Sequence, residues 1–209
     1  MKNKNAVFVL IVLFVLMIGG AYVLYDRLGD DVTAEQLVVQ AAPKQDGVLS
    51  GEKPDQESEP DTNEEPEIIY APDFHVYDKD GKTVHLSDYF GKPIVLNYWA
   101  SWCEPCRSEM PEFNEKYAEL GDDVHFVMVN MTDGGRETVQ KASDFIDENG
   151  YDFPVLFDIT GEAADAYGAY SLPTSFFIDE NGRVVAQAVG AIDADTLQMG
   201  IDLIVNGRN

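Results

Sequence analysis

Residues 99–113 read WASWCEPCRSEMPEF, and they contain both cysteines of a 209-residue chain, Cys103 and Cys106. The run just upstream, PIVLNYWA (93–100), has the continuous apolarity of a central strand buried on both faces. The residues that follow predict a helix from about Cys103 to Leu120. Cys103 therefore ends a strand and opens a helix. Free backbone N–H groups and the helix dipole stabilise negative charge at such a place, so a thiol there becomes a nucleophilic thiolate more readily. Cys106, one turn later, is placed to resolve a mixed disulfide formed at Cys103. Pro105 falls in the first turn, where its missing N–H does no harm.

Working outward, the chain alternates strands and helices. FHVYDKDGKTVHL (74–86) alternates apolar and polar residues around Asp80-Gly81 and predicts a hairpin. VHFVMVN (124–130) reads as a second buried strand. Arg136 to Asn149 sets Val139, Ala142, Phe145 and Ile146 on one helical face, with Gly150 as the stop. FPVLFD (153–158) is a short strand and EAADAYG (162–168) a short helix. TSFFID and RVVAQAVG flank Glu180-Asn181-Gly182 as a second hairpin. Asp193 caps a last helix with Leu197, Ile201 and Ile204 inward. This order predicts an α/β fold, a mixed sheet covered on both faces.

The N-terminus speaks to compartment. Residues 6–25 carry no charge over twenty positions, enough to cross a bilayer core as a helix. Lys2 and Lys4 precede the run and Asp26, Asp30 and Asp31 follow it, with Arg27 the only base among them. That asymmetry places residues 1–5 in the cytoplasm and the rest of the chain outside it, on a single-pass signal anchor in the cell membrane. A cleaved signal peptide is the competing reading, with Gly19, Gly20 and Ala21 small enough for processing. The apolar run is longer than a signal core, however, and no cysteine follows it to carry a lipoprotein anchor.

Residues 26–67 hold thirteen acidic and three basic side chains, with four prolines among Gln, Ser and Asn. Such a stretch cannot bury enough surface to offset its ordering entropy, and it reads as a disordered acidic tether. Its forty-two residues would span roughly 35 Å root-mean-square. Val32 to Ala42 is mildly apolar, and a short helix is the expectation there. Residues 68–209 suit one globular domain. With nine basic and twenty-five acidic residues its formal charge is −16, which argues against nucleic acid as a partner.

Other uses of a cysteine pair compete with redox exchange. A structural disulfide between neighbours closes almost no loop and stabilises little. Zinc needs about four ligands, and beyond the pair only His75, His85 and His125 are of that kind. A copper carrier would join soft thiolates to a histidine, yet no histidine follows residue 125.

Strand, WASWCEPC, helix and a later SLPTSFFID (171–179) resemble the thioredoxin superfamily, and within it the membrane-anchored TlpA/ResA-like thiol–disulfide oxidoreductases. Pro111 is similar in place to the proline that kinks the active-site helix of thioredoxins. Leu172-Pro173-Thr174 matches the loop whose X-Pro bond is cis and which faces the cysteines and receives substrate backbone. Residues 131–160, with an extra helix, resemble the insertion of this branch. The resemblance thus implies a thioredoxin-like fold with an N-terminal hairpin and an inserted helix, preceded by one transmembrane helix.

It also implies roles. Cys103 and Cys106 would be catalytic, with no metal and no cofactor besides their own disulfide. Glu109 completes a Cys-Glu-Pro-Cys-x-x-Glu motif and would accept a proton from Cys106, although an acid near a helix start is favourable on its own. Trp102, Glu104, Pro105, Leu172, Pro173 and Thr174 would meet substrate, with Trp102 exposed as a docking surface. Trp99 and Tyr98 are expected to divide between core and site rim, and Asn97, Asp73 and Tyr70 have no assigned role. Glu104 and Glu109 oppose thiolate formation and Arg107 favours it, a balance that points to a reductant. The implied clients are apocytochromes c, reduced before haem attachment with electrons from a membrane thiol carrier. Other envelope or sporulation proteins are the alternative clients and a copper chaperone the non-enzymatic one. A thiol peroxidase fits poorly, because Ala100 stands where peroxiredoxins keep a threonine.

Overall fold

The computed structural model describes residues 37–39 and 68–207. The apolar run 6–25 lies outside them, as does most of the acidic segment. Among the described residues no helix is long and apolar enough to cross a membrane.

The strands are β1 (Leu37–Val39), β2 (His75–Tyr77), β3 (Thr83–His85), β4 (Ile94–Trp99), β5 (His125–Asn130), β6 (Val155–Phe157), β7 (Thr174–Ile178) and β8 (Val184–Val189). They form one sheet in the order β1-β8-β7-β4-β5-β6-β2-β3. β4 pairs parallel with β5 and antiparallel with β7, so the strand leading to Cys103 is central. The helices are α1 (Glu104–Leu120), α2 (Val139–Asn149), α3 (Glu162–Tyr167) and α4 (Ala194–Asn206).

Alternation along β4 divides the core. Val95 and Trp99 join Met110 and Phe113 of α1, Ala142 and Ile146 of α2, and Leu197, Ile201 and Ile204 of α4 on one face. Ile94, Leu96 and Tyr98 join Phe74, Val76, Leu86 and Ala163 on the other. Successive side chains of a strand point to opposite faces, and here both faces are covered. Trp99 and Tyr98 are therefore both fully buried, and neither reaches the site rim where the sequence led us to expect one of them.

Two further expectations are corrected. The helix predicted from Arg136 begins at Val139, because Thr138 caps it by accepting the Lys141 N–H at 3.2 Å. Arg136 and Glu137 are left in a loop. Within the acidic segment, Leu37–Val39 is a strand and not part of a helix. It pairs antiparallel with β8, which would otherwise be the sheet's edge, a place where unpaired backbone groups need a partner. Both hairpin turns close on an aspartate. Asp78 Oδ1 accepts the Asp80 and Lys82 N–H groups, and Asp179 Oδ1 accepts those of Asn181 and Arg183.

Gly200 of α4 lies against the buried ring of Phe177 in β7, and an added methyl group would run into that ring. An alanine gains up to about 1 kcal/mol of helix propensity, but overpacking a fixed ring costs about 1–3 kcal/mol. Gly200→Ala is therefore expected to lower stability in urea unfolding. A variant more stable than the parent would show that α4 can move away from the sheet.

Candidate active site

β4 delivers the chain to Cys103, which takes an extended conformation (φ −83°, ψ 107°) and caps α1. Its Sγ accepts the Cys106 N–H at 3.3 Å, and its own N–H donates to the Ala100 carbonyl at 3.1 Å. The two cysteines form a disulfide, with Cα atoms 5.3 Å apart. Cys103 retains 5% exposure and Cys106 none. One sulfur faces solvent at the helix start and the other lies beneath it.

Cys103 opens on a groove of about 690 Å³ that Trp102, Glu104, Pro105 and Leu172 also line. Met131–Asp133, Arg136, Asp158–Gly161 and Tyr170 line the rest of it. Trp102, Ile159 and Tyr170 are large apolar side chains left exposed around it. The Leu172–Pro173 bond is cis. Pro173 and Thr174 do not line the groove themselves. The Pro173 carbonyl accepts the Gly190 N–H, and the buried Thr174 hydroxyl donates to the Ser171 carbonyl. Glu104 is largely exposed and pairs with Arg107 at 3.6 Å, so its charge is partly balanced and well screened.

Glu109 sits one turn after Cys106 on α1, and both are buried. Its Oε1 accepts from Asn97 Nδ2 at 2.9 Å and its Oε2 from the Ile192 N–H at 3.0 Å. Desolvation pushes the carboxyl up to about 8. The Ile192 N–H and the Asn97 amide pull the other way, and Glu112 adds a small upward push. At neutral pH this carboxyl is largely protonated with the disulfide intact.

Sequence reasoning missed several residues here. Asn97 received no role, yet its amide also donates to Ser175 Oγ at 2.9 Å and so ties Glu109 to β7. An asparagine within an apolar strand was the available signal, since a buried amide needs partners. Glu137 and Arg136, expected within a helix, instead touch the residues preceding Cys103. Glu137 accepts from Ser101, and the Arg136 guanidinium lies 3.5 Å from the centre of the Trp102 ring. The histidines are elsewhere. His75 and His85 are on β2 and β3 at the sheet's far edge, and His125 starts β5 at the end opposite Cys103. A soft metal held by the thiols would find no imidazole beside them.

A disulfide between near neighbours does little to staple a fold, and this one shows a single sulfur to a groove. That asymmetry suits exchange. The protein is a thiol–disulfide oxidoreductase of the thioredoxin fold. Residues 70–187 match the AhpC/TSA family, and the chain belongs to it. The thiol–disulfide oxidoreductase ResA of Oceanobacillus iheyensis is 41% identical over 144 residues, 66% of this chain and 73% of that protein. Among solved structures, StoA of Bacillus subtilis is 30% identical with a TM-score of 0.54, covering 62% of this chain and 96% of its own. The exposed lipoprotein thioredoxin of Streptococcus pneumoniae is 37% identical with a TM-score of 0.53, covering 63% and 100%.

The Glu109 environment has a measurable consequence. Its carboxyl holds a proton up to about pH 8 in the oxidised fold but only to the ordinary 4.5 when unfolded. Stability from this group is complete below about 4.5 and lost as pH rises through 8. Glu109→Gln is expected to flatten that slope, about 1.4 kcal/mol per pH unit at its steepest, in urea unfolding of the oxidised protein between pH 5 and 8. Parallel pH profiles for parent and variant would place the titration on another group.

Proposed function

We propose that this protein is a membrane-tethered reductase on the extracytoplasmic side, acting on disulfides of apocytochromes c before haem attachment. The observation carrying the reading is the buried Glu109 carboxyl one turn from the covered Cys106, beneath a Cys103 that opens on an apolar groove. The similarity to ResA supports it, as does the uncharged run 6–25 behind two lysines.

The Cys103 thiolate attacks one sulfur of a client disulfide, forming a mixed disulfide and releasing the other client sulfur as a thiolate. Cys106 gives its proton to the Glu109 carboxylate and attacks Cys103 Sγ. The second client sulfur leaves as a thiolate, the Cys103–Cys106 disulfide forms, and the client has gained two electrons; its two thiolates take their protons from solvent while Glu109 keeps the one from Cys106. The pair itself is the redox group, with no further cofactor. A membrane thiol carrier then reduces it. Trp102, Pro105 and Leu172 contact the client segment beside its cysteine, and Glu104 stands at the groove's solvent edge. The cis Pro173 loop, with Thr174 starting β7, backs the groove.

Two measurements test this. Cys106→Ala removes the resolving thiol and should accumulate mixed disulfides on Cys103 in cells, with cytochrome c precursors among the trapped proteins. Recovery of other envelope or sporulation proteins alone would retain the chemistry and replace the client. Equilibration with glutathione should give a reducing couple, and a potential near −120 mV, as for a strong dithiol oxidant, would overturn the reductase direction.

A further inference from the structure

We propose that Glu137 is a positioning residue for the attacking cysteine: its buried carboxylate holds Ser101, and through it the turn that presents Cys103 at the start of α1. The inference rests on the thiol–disulfide exchange activity and is independent of the client.

Glu137 is fully buried. Its Oε1 accepts from the Ser101 N–H at 2.9 Å and from Asn130 Nδ2 at 2.7 Å, and its Oε2 accepts from the Ser101 hydroxyl at 2.7 Å. Every one of these donors is neutral. Burial of a carboxylate is costly unless it is well hydrogen-bonded or paired, and two of these three bonds serve the residue two positions before Cys103. The carboxylate is itself firmly mounted. The Glu137 N–H donates to Asp133 Oδ1 at 2.9 Å, its carbonyl accepts the Gly134 N–H at 2.9 Å, and Thr132 fixes Asn130 through Oδ1 at 2.8 Å. Next to it, Arg136 stacks on Trp102. Two consecutive loop residues thus grip the two residues that precede Cys103.

What this accomplishes follows from the catalytic cycle. In the oxidised protein the disulfide ties Cys103 to α1. On reduction that tie is gone, yet this is the state in which the Cys103 sulfur must stay over the free N–H groups to form a thiolate. The Glu137–Ser101 bonds do not involve sulfur and survive the change. They hold the turn when the disulfide no longer does.

The opposing view is that Glu137 merely closes its own loop, or acts on the thiol only by charge. Glu137→Gln and Glu137→Ala separate these, since both lose the charge. Glutamine can still accept from Ser101 N–H and Asn130 while its amide donates to Ser101 Oγ; alanine loses every bond. Glu104, Asp133, Arg136 and Asp158, the other charged groups lining the groove, are the same in both. The readouts are the pH profile of Cys103 alkylation by iodoacetamide in the reduced protein and its equilibrium constant with glutathione. The glutamine variant should titrate at or below the parent. The alanine variant should show a higher apparent thiol pKa than the glutamine variant, with roughly fivefold slower alkylation at neutral pH, the value of one lost helix cap. Ser101→Ala keeps the charge, removes one hydrogen bond, and should slow alkylation by roughly threefold relative to the parent; it decides the question if Glu137→Ala does not fold. Superimposable alanine and glutamine profiles, or a Ser101→Ala variant that matches the parent, would overturn the proposal. A parent protein that alkylates normally but reduces no protein disulfide would instead overturn the functional reading.

Discussion

The crossing from β4 into α1 is the constraint on which the rest of this structure depends. A central strand, covered on both faces, must end and a helix must begin within four residues, Ala100 to Cys103. Cys103 satisfies an otherwise free N–H of the new helix with its own sulfur. That single contact closes the helix start and draws electron density from the sulfur toward a donor. Nucleophile and helix cap are one atom, so whatever steadies the crossing also steadies the chemistry. The sheet steadies it from one side, because β4 is flanked by β5 and β7. The loop after β5 steadies it from the other, through Glu137 on Ser101 and Arg136 on Trp102.

The same crossing was the most legible part of the sequence. A run of apolar residues followed by a cysteine pair at helical spacing leaves few alternatives, and element order then dictates the sheet. β4, β5, β7 and β8 are near their expected places because each is bounded by a turn residue or a change of period. Less legible were features decided by contacts across the fold. Nothing local tells that Glu137 leaves its helix, since an acid fits a helix start well; its partner Ser101 is 36 positions away. Trp99 and Tyr98 were expected to divide between core and rim, because an aromatic beside a catalytic motif suits either place. Helices α1, α2 and α4 over one face of β4, and α3 with Phe74, Val76 and Leu86 over the other, decided the matter. Leu37–Val39 is extended for a similar reason. Leu37 pairs with Ala188 and Val39 with Ala186 of β8, near the other end of the chain, and no local window on the sequence contains both partners.

Around the second sulfur the balance of forces is different. Glu109 could be replaced in the core by an apolar residue of like volume at lower cost, because an uncharged side chain needs no hydrogen bonds there. The fold keeps the carboxyl and supplies an N–H from Ile192 and an amide from Asn97. These favour the charged form while desolvation opposes it more strongly, and the outcome is a value of about 8. A carboxyl poised in this range can act as base in one half-reaction and acid in the other. For the proposed cycle this means that Glu109 can take the Cys106 proton when a client is reduced and return it when the pair is re-reduced. The burial that raises the carboxyl also shields Cys106 from adventitious disulfides, since only Cys103 reaches the groove. One desolvated pocket thereby separates attack from resolution and keeps a carboxyl poised near neutral pH one turn from the resolving thiol.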